Sequence, residues 1–334
     1  MSKVLVTGGA GFIGGHLVRH LSAEGNEVRV LDNFDPQIHK EAKLRYGDDI
    51  AECIVGDVRD PDAVARSLQG VDRIVHLAAA VGVGQSMYEV THYVDVNCNG
   101  TAVLWEEILK NRDRVRKVVV ASSMSIYGEG HPEYTGEDHP VRPTSVYAVT
   151  KRDQEEVSLS LGRAYEIPTV ALRFFNVYGP EQSLNNPYTG VAAIFASRLL
   201  NGEAPVIFGD GTQTRDFIHI SDIVQGISLA LNKDCPIDAY NVGTGVKTSI
   251  LYLANCLAKA LHFDGEISPT GRVRAGDILH CVADIGKISN VLGYASKMSL
   301  DKGLQDLIGW AAEQKSDDHI NVAVDELVSR GLLE

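Results

Sequence analysis

The sequence predicts an α/β fold in which a doubly wound parallel sheet carries a smaller C-terminal α/β lobe. Three observations predict it. Short, wholly apolar runs of β-branched residues alternate with longer helical patterns through the first half of the 334-residue chain, the pattern of a parallel sheet covered by helices on both faces. Glycines cluster where the first of those runs gives way to the first helical pattern. Beyond about residue 175 the rhythm breaks into Gly, Pro and Asn clusters around separate helical stretches, which suits a second lobe.

Strands are expected at Val4–Val6, Val28–Leu31, Ile74–Leu77, Val118–Ala121 and Thr169–Leu172, where β-branched residues are bounded by turn formers. Residues 13–24, 60–68, 99–110 and 145–165 have the length and periodicity of crossover helices. In the second half, residues 191–200 and 250–261 read as helices and 301–333 as two amphipathic ones. The expected division is 1–175 for a dinucleotide-binding unit, with a return segment at about 216–245, and 176–334 for a substrate lobe. The cleft between them would face the strand C-termini.

Composition narrows the function classes. With 44 acidic and 31 basic residues the net charge is −13, which argues against a nucleic-acid partner because a phosphate backbone needs a concentrated positive face. At 44% hydrophobic and 22% charged residues the chain can bury a large core. The start, Met1-Ser2-Lys3-Val4-Leu5-Val6-Thr7, lacks the apolar stretch of a signal peptide, and no segment approaches a membrane span of about 20 apolar residues. A cytoplasmic protein without a membrane partner is expected. The five cysteines lie apart, without CxxC or Cys/His pairing, so neither a disulfide framework nor a metal site is expected.

The first strand leads into Thr7-Gly8-Gly9-Ala10-Gly11-Phe12-Ile13-Gly14. Glycine at 8, 11 and 14 permits a tight turn and lets backbone N–H groups approach a pyrophosphate, whose charge a helix N-terminus favours. This is a Rossmann-like dinucleotide site, with Gly8, Gly11, Phe12, Ile13 and Gly14 against the cofactor. The second strand ends in Leu31-Asp32-Asn33, eighteen residues beyond Gly14, where an acidic side chain meets the adenosine ribose. A carboxylate there accepts from the 2′-OH and repels a 2′-phosphate, so NAD is expected over NADP.

Tyr147 and Lys151 stand one helical turn apart on one helix face. A cation beside a phenol favours phenolate, which would let Tyr147 serve as a base nearer neutrality. The strand Val118–Ala121 runs into Ser122-Ser123-Met124-Ser125, placing hydroxyls at a strand C-terminus. Ser123 could hydrogen-bond the substrate oxygen that Tyr147 deprotonates.

Over about residues 3–285 these features resemble the extended short-chain dehydrogenase/reductase family, in particular its nucleotide-sugar epimerases and dehydratases. The resemblance extends through Gly56-Asp57-Val58-Arg59-Asp60, His76-Leu77-Ala78-Ala79 and Asn97-Cys98-Asn99-Gly100-Thr101. It continues in Arg173-Phe174-Phe175-Asn176-Val177-Tyr178-Gly179-Pro180, Arg215-Asp216-Phe217-Ile218-His219 and Arg274-Ala275-Gly276-Asp277. The resemblance implies that Asp57 and Val58, with Asn33 nearby, hold the adenine end, and that Leu77, Ala78, Ala79, Asn97 and Phe175 line the ribose and nicotinamide. Lys151 would also bond the nicotinamide ribose. On the substrate side Asn176, the backbone at Val191, Arg215 and Arg274 would grip a nucleotide diphosphate, a task suited to paired guanidinium groups.

The residues after the catalytic hydroxyl divide the chemistry of this family. Dehydratases are similar to Thr-Asp-Glu there and UDP-glucuronate decarboxylases to Thr-Ser-Glu, whereas this chain has Ser123-Met124-Ser125. The 3,5-epimerising members carry a cysteine where Ser125 stands. What the resemblance leaves is NAD-dependent 4-epimerisation of a nucleotide sugar, with Tyr147 as base and Ser123 on O4; a 4-ketosugar reductase is the alternative, and a dehydratase the weaker one. Val83, in Val81-Gly82-Val83-Gly84-Gln85-Ser86, would stand near the sugar, and Cys281, four residues after Asp277, falls where related epimerases carry a residue that gates the pocket. Small residues at these places suggest a sugar bulkier than galactose, such as an N-acetylated, carboxylated or heptose unit. The resemblance also implies a homodimer built on the helices at 99–110 and 145–165, with Val103, Leu104 and Ile108 as apolar support.

Overall fold

The computed structural model describes residues 2–333 apart from 40–43, 45, 48–49, 185, 187–189, 273–276 and 315–319, and only the backbone of 320–323. The expected apolar runs form strands β1 (Lys3–Thr7) and β2 (Glu27–Asp32); after β3 (Glu52–Val55) come β4 (Arg73–His76), β5 (Lys117–Ser123) and β6 (Thr169–Phe174). The short strands β7 (Asn176–Tyr178), β8 (Thr214–Arg215) and β9 (Phe217–His219) precede β10 (Asp238–Val242), β11 (Thr248–Ser249) and β12 (His280–Cys281). Seven strands make one parallel sheet in the order β10-β6-β5-β4-β1-β2-β3. Thr7 at the end of β1 pairs with Leu31 of β2 on one side and His76 of β4 on the other. Chain order reverses there, and a crevice opens beyond the strand ends at such a point.

Two sheet strands lack an apolar run. β3 is the sheet's half-exposed edge, so only part of it needs to be hydrophobic. β10 spends its polar residues inside: Asn241 donates from Nδ2 to the Thr135 carbonyl at 2.8 Å and accepts from the Tyr127 hydroxyl at 2.7 Å.

Helices α1 (Phe12–Ala23), α2 (Pro61–Ser67), α3 (Val83–Ser86), α4 (Val90–Tyr93), α5 (Gly100–Lys110) and α6 (Val146–Ala164) accompany the first six strands. A π-helical stretch, Val94–Asn99, runs directly into α5. Ser145 caps α6 by accepting from Ala148 N at 3.2 Å, and Asp60 caps α2 by accepting from Asp62 N at 3.0 Å; both caps lie where sequence places the helix starts. Beyond them lie α7 (Val191–Leu200), α8 (Ile220–Asn232), α9 (Ile250–Ala260), α10 (Gly286–Leu292), α11 (Leu300–Ala311) and α12 (Ile320–Ser329).

The pleat sends Val4 and Val6 to one face of the sheet, against Leu17, Leu21, Ile223 and Ile227 of α1 and α8. Leu5 goes to the other, with Val64, Leu104, Trp105 and Ile108 of α2 and α5. Leu104 and Ile108 are therefore sheet-facing core, with Val103 packed against them, and they lend no support to an intersubunit surface. A third cluster joins α7, α9 and α11 through Phe195, Leu199, Leu253, Leu257, Leu304 and Leu307. Among the described residues no helix is long and apolar enough to cross a membrane.

One buried ion pair fixes α6 against the sheet. Glu155 accepts from the Ser122 hydroxyl at 2.6 Å and from Arg173 Nε and Nη2 at 3.0 and 2.5 Å. Arg173 Nη1 donates to the Tyr127 hydroxyl at 2.8 Å, so α6, β5, β6 and β10 share one polar tie. Removing one member strands the other charge in the core. Glu155→Ala is expected to lower unfolding free energy by about 3–5 kcal/mol in urea denaturation; an unchanged midpoint would contradict this account of the tie.

Candidate active site

The turn from β1 to α1 is shaped by lack of room. A Cβ on Gly8, whose φ is +69°, would lie 2.8 Å from Ala78 N, and one on Gly14 would lie 2.2 Å from the Gly8 carbonyl oxygen. Only glycine permits this approach. Gly11 caps α1 without any side-chain bond, so the first-turn N–H groups remain available to an anion. The residues present therefore fit a dinucleotide pyrophosphate.

Asp32 is buried at the end of β2 and holds this turn in place. Its Oδ2 accepts from Ala10 N and its Oδ1 from Phe34 N, both at 2.9 Å, and a carboxylate retains lone pairs beyond two such bonds. Asp57 is held by a partner that sequence reasoning missed: Arg59 donates to it from Nε at 2.9 Å and Nη2 at 2.8 Å, and reaches Asp95 from Nη1 at 2.6 Å. Asn33 Nδ2 adds a bond to Asp57 at 3.0 Å. The Arg59 fork, with these other bonds, holds the Asp57 carboxyl down to about 2. Arg59 was visible in the Gly56–Asp60 motif as the cation nearest the carboxylate. Val58 is buried behind them.

The wall beyond β4 is Leu77-Ala78-Ala79, anchored by bonds from Leu77 N to the Thr7 carbonyl (3.1 Å) and from Ala78 N to the Thr7 hydroxyl (3.2 Å). Asn97 is fully buried. Its amide accepts from Ala80 N at 2.7 Å and donates to the Ala80 carbonyl at 3.1 Å and to Thr150 Oγ1 at 2.9 Å. It thus braces the wall from behind, where sequence reasoning has it lining the cofactor itself. Phe175 is buried beside the end of β6, its N–H donating to the Val242 carbonyl.

Ser123 ends β5 and caps a single 3-10 turn, Met124–Tyr127. Its oxygen accepts from Ser125 N at 3.2 Å and from the Ser125 hydroxyl at 3.0 Å. Its hydroxyl favours the ionised form of the Tyr147 phenol. Tyr147 lies in the first turn of α6 with Lys151 one turn further. Burial pushes the Tyr147 phenol above its ordinary value, and the Ser123 bond offsets part of that rise. Lys151 Nζ donates to Gln154 Oε1 at 2.8 Å, and burial pulls its ammonium down to about 7. The expectation that Lys151 brings the phenol toward neutrality is thus not met by these side chains alone: burial raises the phenol, and the group shown to offset it is Ser123.

On the substrate side, Asn176 begins β7 with its Oδ1 buried and without a partner among the described residues, the mark of a place where a ligand donor belongs. Val191 opens α7 behind Gly190, whose φ is +75° and which offers no side-chain cap. Val83 opens α3 and accepts from the Ser86 hydroxyl at 2.7 Å. Arg215 is turned inward. Its Nη2 donates to the Ile278 carbonyl at 2.5 Å and Asp277 at 3.1 Å, and its Nη1 to the carbonyls of Thr214 at 3.0 Å and Leu279 at 3.3 Å. Asp277 is thereby a partner of Arg215. Arg274 lies outside the described residues. Cys281 has no exposed surface and sits in the core 4.0 Å from Thr135 Oγ1, its thiol pushed up to about 12 by burial. As placed it is core packing and not an open pocket wall, so a bulky residue there would overpack the core.

The structure thus sets Ser123 at the C-terminal end of β5, on the same parallel sheet as the glycine turn, with Tyr147 and Lys151 one turn apart on α6, and leaves Arg215 and Cys281 directed into the protein. A model described as the NAD dependent epimerase/dehydratase family matches residues 4–243, and the chain belongs to that family. It is 35% identical to the dTDP-L-rhamnose 4-epimerase of Burkholderia thailandensis, covering 93% of this chain and 95% of that protein. Its fold is similar to the crystal structure of the Thermotoga maritima UDP-glucose 4-epimerase with UDP-glucose, with a TM-score of 0.85, 32% identity and coverage of 92% of this chain and 98% of that one. The Thermus thermophilus UDP-glucose 4-epimerase in complex with NAD gives a TM-score of 0.84 at 32% identity, over 94% of this chain and all of that one.

Lys151 has a consequence for stability. Its folded value near 7 lies below its ordinary 10.5, so between them the unfolded chain holds the proton more firmly and stability rises with pH. Lys151→Met is expected to remove that rise and to be at least as stable as the wild type at pH 7, by urea denaturation across the range. A destabilised variant with the same pH slope would contradict it.

Proposed function

We propose that this protein is an NAD-dependent nucleotide-sugar 4-epimerase. The observation that carries the reading is Ser123 at the C-terminal end of β5 acting on the Tyr147 phenol, with Lys151 one turn beyond it on α6, next to a turn that offers no carboxylate. Met124 has no proton to transfer, and the Ser125 hydroxyl is spent on Ser123. Elimination of water or carbon dioxide lacks the acid that related enzymes resemble one another in carrying, while 4-epimerisation needs only a base at O4.

NAD, when bound, would supply the hydride acceptor and donor that oxidation and reduction at the sugar C4 require. The glycine turn and Asp32 would hold its pyrophosphate and adenosine ribose, and Asp57 and Val58 its adenine. Tyr147 takes the O4 proton in one direction and gives it back in the other. Ser123 directs its hydroxyl at the same oxygen and steadies developing negative charge.

The nucleotide diphosphate would be held by Asn176, the α7 N-terminus at Val191 and Arg274, with Arg215 joining after exchange of its Asp277 contact for phosphate oxygens. A sugar bulkier than galactose remains the proposed substrate class, resting on the small residues around Val83. A homodimer belongs to the same proposal, resting on Val94, Val149 and Val157, which are 45, 42 and 37% exposed on adjoining helices. Light scattering at micromolar concentration is expected to give twice the chain mass.

Purified protein incubated with nucleotide sugars and no added cofactor is expected to interconvert C4 epimers, read at the sugar C4 proton by NMR. Tyr147→Phe should lower kcat by about 10²–10⁴-fold, and NAD should bind more tightly than NADP by equilibrium titration. Consumption of added NADH by a 4-keto sugar without interconversion would make the protein a reductase instead.

A further inference from the structure

Lys151 is the end of a buried chain of polar side chains that the proposed reaction does not use. Gln154, one turn beyond it on α6, accepts from Lys151 Nζ at 2.8 Å through Oε1 and donates from Nε2 to Thr101 Oγ1 at 2.9 Å. Thr101 lies within 3.0 Å of His76 Nε2, and His76 Nδ1 within 2.7 Å of the Thr7 hydroxyl. All of these residues are buried. The chain therefore crosses from α6 through α5 and β4 to the last residue of β1, where the glycine turn begins.

Thr101 donates its hydroxyl proton to the Asn97 carbonyl at 2.6 Å, so toward Gln154 it accepts. Thr7 Oγ1 accepts from Ala78 N and pairs with His76 Nδ1. His76 is neutral, burial pulling its pKa down to about 3, and its Nε2 faces both Thr101 Oγ1 at 3.0 Å and Gln154 Nε2 at 3.3 Å. The Gln154 carboxamide, with its NH2 committed to Thr101, has one orientation, and its oxygen faces Lys151. The charged and titratable groups around the ammonium are His76 on β4 and Tyr147 and Glu155 on its own helix. Glu155 is committed to Arg173 and Ser122, which leaves Gln154 as the acceptor shown for the ammonium among the described residues.

We propose that Gln154 is a positioning residue for the base: through the Thr101–His76–Thr7 chain it fixes the Lys151 ammonium relative to Tyr147 and couples that pair to the dinucleotide-binding end of β1. A neutral amide suits the task because it orders the cation without cancelling the charge that the phenol feels. A carboxylate at the same place would pair with Lys151 and remove its field from Tyr147. The proposal rests on the 4-epimerase reading only in taking Tyr147 as the base.

The test is a double-mutant cycle with Gln154→Met, which keeps an unbranched side chain of similar size, and Thr101→Val, which removes the anchor of the amide. Gln154→Met is expected to lower kcat about tenfold at unchanged KM and to lower the midpoint of Lys151 ammonium titration by about half a unit or more, since the ammonium loses its acceptor. That midpoint is read by NMR of lysine labelled at Cε, assigned against Lys151→Met, without substrate. Thr101→Val should move both quantities the same way by less, and should add little in the Gln154→Met background. Additive losses in kcat, a Lys151 midpoint unmoved in a folded Gln154→Met protein, or failure of both variants to fold would each overturn the proposal in favour of a purely structural amide. A shifted midpoint in a protein that epimerises no nucleotide sugar would uphold the positioning role and reject the reaction.

Discussion

The structure depends on how closely the backbone of the β1–α1 turn approaches itself and the loop after β4. With 2.8 Å between a Gly8 Cβ and Ala78 N, and 2.2 Å between a Gly14 Cβ and the Gly8 carbonyl oxygen, no side chain fits at either place. That closeness brings the first turn of α1 to the point where the sheet order reverses, and it sets the wall Leu77–Ala79 opposite the turn. Thr7 bridges the two through its carbonyl and hydroxyl. Asp32 reinforces the turn from β2 by accepting from Ala10 N, so the carboxylate expected to choose the cofactor also helps to build its cradle.

A second level of organisation is polar and buried. On one side of α6, Glu155 ties the helix to β5 and β6 through Ser122 and Arg173. On the other, Lys151 is tied through Gln154 toward β1. The two ties share a helix but differ in kind. Glu155 forms an ion pair that would be costly to break, whereas Lys151 is a cation kept on a neutral acceptor in a place that disfavours its charge. Such an arrangement forgoes stability at neutral pH, where burial disfavours the charged ammonium.

Much of this was legible in the sequence, for identifiable reasons. The inner strands β1, β2, β4, β5 and β6 are buried on both faces, so they had to be apolar runs. The starts of α2 and α6 carried Asp60 and Ser145 as caps, and the glycines of the turn have no alternative. β3 and β10 were not legible, since an edge strand is relieved of half its burial and β10 satisfies Asn241 through Thr135 and Tyr127. Thr135 and Tyr127 each lie more than a hundred residues from Asn241 in sequence.

The site divided in the same way. Local spacing placed Tyr147 and Lys151 on one face, but the sign of the phenol's shift depends on burial, which no spacing encodes. Leu104 and Ile108 carried a periodicity that suits a sheet and an interface equally, and the sheet claimed them. Arg215 and Cys281 were named from their motifs, yet the carbonyls of Thr214, Ile278 and Leu279 draw the guanidinium inward and the thiol is sealed in the core. The most direct measurement follows a nucleotide sugar deuterated at C4 through one round of conversion by the purified protein in ordinary water. The account predicts that the C4 epimer forms with the deuterium still at C4, because the same hydride leaves and returns within one site. Loss of the label to solvent, or its appearance in a pool of free NADH, would contradict it.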